Sequence, residues 1–188
     1  RESDCQVYDV ATDRWGACPV PPVYHGLGAG ASAGQAIYLI GGLDDQDGVS
    51  AAVERLAGGV WTAVAPLPAP RYWGAAAASG GMVYYSGGYN GDDEPTATFW
   101  QYDAAADAWT ALANLPEPMA EHALVVHGGS IYLFPSNSSD IWRYTIATNT
   151  WRVVEPLTPA PSLWDFLAVA TEEHIFRIGG YDYLTDEA

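Results

Sequence analysis

Apolar residues along this chain fall in short runs broken by Gly, Pro or acidic positions, and no run carries a helical period. The pattern predicts β-strands. A small apolar run, such as Gly74 to Ala78 or His122 to Val126, is followed by a Gly pair, Gly80-Gly81 or Gly128-Gly129. An aromatic-bearing run comes next, as in Met82 to Ser86, then a polar loop and a third run, Thr98 to Asp103. A turn leads to a fourth run that starts at a Trp. In the copy from Leu56 to Trp61 this turn tightens to Gly58-Gly59, a two-residue hairpin signal. Pro-rich stretches after the fourth runs, Pro66 to Pro70, Pro116 to Pro118 and Pro156 to Pro161, read as crossovers to the next unit.

The units repeat. An aromatic, two intervening residues and Gly-Gly occur as Tyr38 with Gly41-Gly42, Tyr84 with Gly87-Gly88 and Phe176 with Gly179-Gly180, with a degraded copy at Tyr132 to Ser136. A second column holds Trp15, Trp61, Trp109 and Trp151. A third holds Tyr8, Tyr102 and Tyr144, each seven residues before its Trp. Three columns agree on one period of 42 to 48 residues, the spacing of propeller blades.

This arrangement resembles the kelch family across essentially the whole chain. The resemblance implies an all-β fold: a kelch-type β-propeller of four repeats, each a four-stranded antiparallel blade. One blade is split between the N- and C-termini, and the chain is a single domain. It divides into a half blade at 1–22, blades at about 23–68, 69–116 and 117–159, and a half blade at 160–188. Small side chains in each first strand then suit a crowded channel wall. The Trp and Tyr columns fill the space between blades, and the Gly pairs end second strands where positive φ or close approach is wanted.

The chain starts in a third strand and stops after a second. Across joined ends, Gly180 and Tyr8 would be 16 residues apart, close to the 14 from Gly88 to Tyr102. Four blades are few for kelch, and three arrangements stay open: a closed four-bladed ring, a segment of a longer propeller, or half blades completed by another copy. With Arg1 in place of Met, the chain reads as processed or as part of something larger.

Charge acts mainly by exclusion. Seven Lys and Arg against 23 Asp and Glu give a net charge of −16, which repels nucleic acid and anionic lipid. No apolar stretch is long enough for membrane insertion. Cys5 and Cys18 flank the Tyr8–Trp15 hairpin at opposed positions, so a disulfide is expected there. Asn137 opens the glycosylation triplet Asn137-Ser138-Ser139. Together these favour an extracellular or cell-surface location, with the cytoplasm as the alternative.

Aligning the units on their aromatics places His25, Arg71, Met119 and Leu163 in one column just before the first strand. The next columns carry Tyr72 and Trp164, then Trp73, Glu121 and Asp165, and then His122. By the resemblance these line the propeller mouth, and His25, Arg71, Tyr72, Trp73, Glu121, His122, Trp164 and Asp165 are the candidate binding residues. Arg71 alone matches the Arg that kelch repeats often carry in this column. The acidic loops Asp44 to Gly48 and Asp92 to Glu94 lack the spacing of a calcium loop and read as solvated. No catalytic residue, cofactor or metal site is assigned. The expected function is a recognition or scaffold module for a protein or glycan partner, or a building block assembling with other copies of itself. The alternative is a carbohydrate-active enzyme. A galactose-oxidase-like copper site would need a free Cys for a Tyr–Cys link. A sialic-acid isomerase-like site would use Glu121 and Asp165 with Arg71 and His25 for acid–base work.

Overall fold

The structure is a computed structural model that describes residues 4–136, 138–154 and 164–181. Sixteen strands are described, in three four-stranded and two two-stranded antiparallel sheets. The first hairpin is β1 (Gln6–Asp9) and β2 (Arg14–Ala17). A complete blade follows in the order β3 (Ala29–Ala33), β4 (Ala36–Ile40), β5 (Val53–Ala57) and β6 (Val60–Ala63). The second is β7 (Ala75–Ser79), β8 (Met82–Ser86), β9 (Phe99–Asp103) and β10 (Ala108–Ala111). The third is β11 (Ala123–His127), β12 (Ser130–Phe134), β13 (Trp142–Thr145) and β14 (Thr150–Val153). A final hairpin pairs β15 (Trp164–Ala170) with β16 (Ile175–Tyr181).

Each blade is a meander in which tight turns join the first two and the last two strands and a longer loop joins the second to the third. Gly58-Gly59, Gly80-Gly81 and Gly128-Gly129 all have both φ values positive, the geometry of a two-residue primed turn that matches strand twist. The innermost strands β3, β7, β11 and β15 lie side by side in chain order. They line a central channel of about 420 Å³ with Ala31, Ala76, Val125, Ala168 and their neighbours. The two half blades hold the complementary strands expected of them. They form separate sheets, however, and β1 is not hydrogen-bonded to β16, so the ring is an open arc.

Adjacent blades join through the predicted columns. Tyr38 of the first blade meets Tyr102 of the second edge-on at 5.7 Å, and Phe99 of the second meets Tyr144 and Trp151 of the third at 4.9 and 5.1 Å. The buried core runs through these junctions with Ile40, Val53, Tyr85, Ile131 and Leu133.

The Gly pairs act at the same joints. The Gly42 N–H donates to the Arg71 carbonyl and the Gly88 N–H to that of Met119, at 2.7 and 2.9 Å. A Cβ at Gly41, with φ of +62°, would stand 2.6 Å from the Arg71 carbonyl oxygen. Only glycine meets both demands.

A second set of joints uses the outer strands. Trp61 Nε1–H donates to the Pro19 carbonyl, Trp109 to Ala65 and Trp151 to Ala113, at 2.7, 2.9 and 3.1 Å. Each acceptor lies in the preceding unit, four residues after that unit's own Trp. The residue two before the Trp completes the clamp. Asp107 Oδ1 accepts the Ala65 N–H and Asn149 Oδ1 the Ala113 N–H, both at 2.8 Å. Tyr102 and Tyr144 hold these acceptors by their hydroxyls, at 2.7 and 2.8 Å.

The first blade departs from this scheme consistently. Its target, Pro19, has no N–H, its turn has Gly59 where a carboxylate or amide would sit, and Leu56 replaces the Tyr. The gap in the Tyr column thus coincides with the absence of both the N–H and the acceptor that the clamp would join.

Candidate propeller mouth

The segments that precede β3, β7 and β11 form one rim of the arc. Leu27, Trp73 and Glu121 occupy equivalent positions there and all are left-handed, with φ of 56, 52 and 54°. For non-glycine residues this conformation costs about 1–2 kcal/mol each, and it persists because neighbours impose it. The Trp73 N–H donates to the Leu27 carbonyl and the Glu121 N–H to the Trp73 carbonyl, both at 2.9 Å. A main-chain ladder thus crosses from blade to blade along the rim. Leu27, Trp73, Glu121 and His122 border a cleft of about 280 Å³ that Phe166 of the last hairpin completes.

Beside this cleft Tyr72, Trp73 and Tyr89 form an aromatic cluster, with ring centroids 5.3 to 6.1 Å apart. Carboxylates hold its edges. The Tyr72 hydroxyl donates to Asp93 at 2.6 Å and that of Tyr89 to Glu121 at 3.1 Å. Burial first, then Asp93, push the Tyr72 phenol up to about 12, so it stays neutral. Trp73 itself is 40% exposed. A second cavity of about 690 Å³ opens between the loops of the first two blades, bordered by Asp47, Arg71, Tyr72 and Asp93.

The sequence-predicted residues divide. Tyr72, Trp73 and Glu121 gather at the rim as described. His122 is also there, but its ring is buried, and Nε2 pairs with Ser86 Oγ at 2.6 Å. Loss of hydration lowers its pKa to about 4.

His25 and Arg71 turn into the blades. His25 contacts the Gly41 carbonyl at 2.7 Å and Glu54 on β5 at 3.3 Å. Arg71 lies 5.2 Å above the Trp100 ring on β9, bonded to Thr96 Oγ1 and the Pro70 carbonyl. In the first two complete blades this column therefore couples the inner rim to the third strand of the same blade. Glu121 and Arg71 border different cavities. Trp164 and Asp165 begin β15, their side chains outside the described portion, and Asn137 also lies outside the described residues.

Cys5 and Cys18 form a disulfide with Cα atoms 5.2 Å apart, in line with the Gln6–Ala17 register beside it. Both thiols are thereby committed. The acidic loops are closed by their own side chains. Asp44 Oδ1 accepts the Gln46 and Gly48 N–H groups, and Asn90 Oδ1 those of Asp92 and Glu94. Among the described residues no group of three or more His, Cys, Asp or Glu is placed to hold a metal ion. Nor is any helix there long and apolar enough to cross a membrane.

Sequence reasoning missed Leu27, whose equivalence to Trp73 was visible in the alignment of units. It also missed Tyr89, which directly follows the second Gly pair.

Repeated four-stranded sheets fanned around a channel, locked by paired glycines and outer Trp clamps, define a β-propeller repeat protein. Residues 70–116, the span of the second complete blade, match the family model of the Kelch motif. That stretch of the chain thus carries a Kelch motif. A search of curated proteins finds no match. Among solved structures, one described as "Structure of YjhT" is similar with a TM-score of 0.73 at 19% identity. The likeness covers 87% of this chain and 59% of that one. At such identity it bears on fold alone, and the chain spans less than two thirds of that neighbour.

Proposed function

We propose that this protein is a non-enzymatic recognition module whose rim binds a basic segment of a protein partner. The observation that carries the reading is the aromatic cluster Tyr72, Trp73 and Tyr89, edged by Asp93 and Glu121, beside the rim cleft. Aromatic faces attract Lys and Arg, and nearby carboxylates add a charge partner. Trp and Tyr also supply large contact area at low entropic cost, as in binding hot spots. Strained backbone at Leu27, Trp73 and Glu121, fixed by the main-chain ladder, holds these groups before a partner arrives. The net charge of −16 attracts basic chains over a distance and repels acidic ones. Kelch repeats commonly mediate protein binding, which supports a protein over a glycan. The Cys5–Cys18 bond supports an oxidising, extracellular or cell-surface setting.

Calorimetric titration with hexalysine, hexaarginine and hexaglutamate tests the reading. The basic peptides are expected to bind and the acidic one not to. Trp73→Ala should weaken binding about tenfold or more, and Glu121→Gln should weaken it and flatten its salt dependence. Equal binding by parent and Trp73→Ala, or preference for hexaglutamate, would overturn it.

A further inference from the structure

The polar loops that join β4 to β5 and β8 to β9 copy one another in their bonding. The Asp44 N–H donates to the Gly48 carbonyl and the Asn90 N–H to that of Glu94, at 2.8 and 3.0 Å. In each loop the side chain of that same residue accepts two further N–H groups. Three residues on stand Asp47 and Asp93, both exposed and both left-handed, with φ of 65 and 58°. Asp tolerates this backbone, and the loops are closed by their own bonds, so each carboxylate is carried on a fixed support.

The cavity of about 690 Å³ lies between these loops, with Asp47 from one and Asp93 from the other on its border. All of its lining residues fall between Leu43 and Asp93, within the first two complete blades. Arg71 also borders it, but its guanidinium is buried and engaged by Thr96, the Pro70 carbonyl and the Trp100 ring. Tyr72 connects the cavity to the rim. Its hydroxyl donates to Asp93, and its ring centroid lies 5.6 Å from that of Trp73. Tyr72 borders the loop cavity and Trp73 the cleft beside Glu121, so the aromatic cluster stands between two openings that each carry carboxylates.

We propose that this loop cavity is a second subsite of the rim, taking a Lys or Arg side chain of the bound segment between Asp47 and Asp93. The proposal rests on the rim reading above and adds a register to it. One cation sits beside Glu121, another lies beyond the aromatic cluster, and the chain between them crosses Tyr72 and Trp73. The stem of the side chain meets Leu43, Val49 and Pro70, the kind of apolar surface against which long cationic side chains bury their methylenes. Its charged end meets two carboxylates whose loops are already ordered, which limits the entropic cost of the contact. The Arg71 charge, turned toward Trp100, keeps the cation at the level of the loops by repulsion.

Calorimetric titration of the full chain with hexalysine, comparing Asp47→Asn with Asp45→Asn, tests this. Both residues are exposed and both changes remove one charge from the same loop, but only Asp47 borders the cavity. Asn also tolerates left-handed backbone, so both variants should keep the circular dichroism and melting of the parent. Asp47→Asn is expected to weaken binding about threefold or more, and Asp45→Asn by less than about twofold. Peptides with two lysines separated by a growing run of glycines should bind best at one spacing, because both subsites are then filled at once. That optimum should survive Asp45→Asn and vanish in Asp47→Asn. Equal effects of the two substitutions, or affinity indifferent to spacing, would overturn the second subsite. Should Trp73→Ala still weaken hexalysine binding in that case, the rim reading stands; should it not, both readings fall.

Discussion

At the scale of single residues, the interior of this protein is governed by positions where one chemical group meets two demands. Gly41 must be left-handed and must let the Arg71 carbonyl approach. Gly41→Ala adds about 1–2 kcal/mol of backbone cost to a contact with rigid backbone. Urea unfolding should therefore show a loss of at least that size. His122 is buried as the neutral ring, with its pKa lowered from 6.5 to about 4. Between those values the unfolded chain binds a proton that the folded chain refuses. Stability therefore falls as pH drops through this window, by up to about 1.4 kcal/mol per pH unit. His122→Gln should lose less stability than the parent between pH 7 and about 4.5. Equal losses would show that His122 does not titrate as its burial implies.

At the scale of elements, the blades are joined by paired clamps, and each clamp should behave as a unit. Asn149→Ala leaves the Ala113 N–H and the Tyr144 hydroxyl without their acceptor, at a cost of about 1–3 kcal/mol. Equilibrium denaturation of Asn149→Ala beside Asn149→Gly, which removes the same acceptor while tolerating the φ of 52°, separates that contribution from backbone strain. The open end of the first hairpin is closed by Cys5–Cys18. Reduction should speed amide exchange at residues 6–17 and leave β7 to β14 little changed.

Much of this scale was legible in the sequence. The Trp and Tyr columns and the Gly pairs predicted strands, turns and blade contacts, because each recurs wherever the same joint recurs. The missing Tyr at Leu56 goes with Pro19 and Gly59, which lack the groups the clamp would join. The inward turn of His25 and Arg71 was not legible, because it depends on Glu54 and Trp100, each 29 residues further along. Nor was the left-handed rim, because Leu27, Trp73 and Glu121 share no side-chain chemistry that marks such backbone. Only the ladder between blades imposes it.

At the scale of the whole molecule, an arc of propeller blades presents a rigid rim on one side. The acidic charge draws basic chains toward that rim. Raising salt should therefore weaken hexalysine binding. Recognition at the rim is tested by chemical-shift mapping of labelled protein during a hexalysine titration. The largest shifts are expected on the amides of Leu27, Gly28, Trp73, Gly74 and Glu121 and on the Trp73 indole. Shifts spread evenly over the acidic surface, or centred on the first hairpin with the rim unmoved, would contradict it.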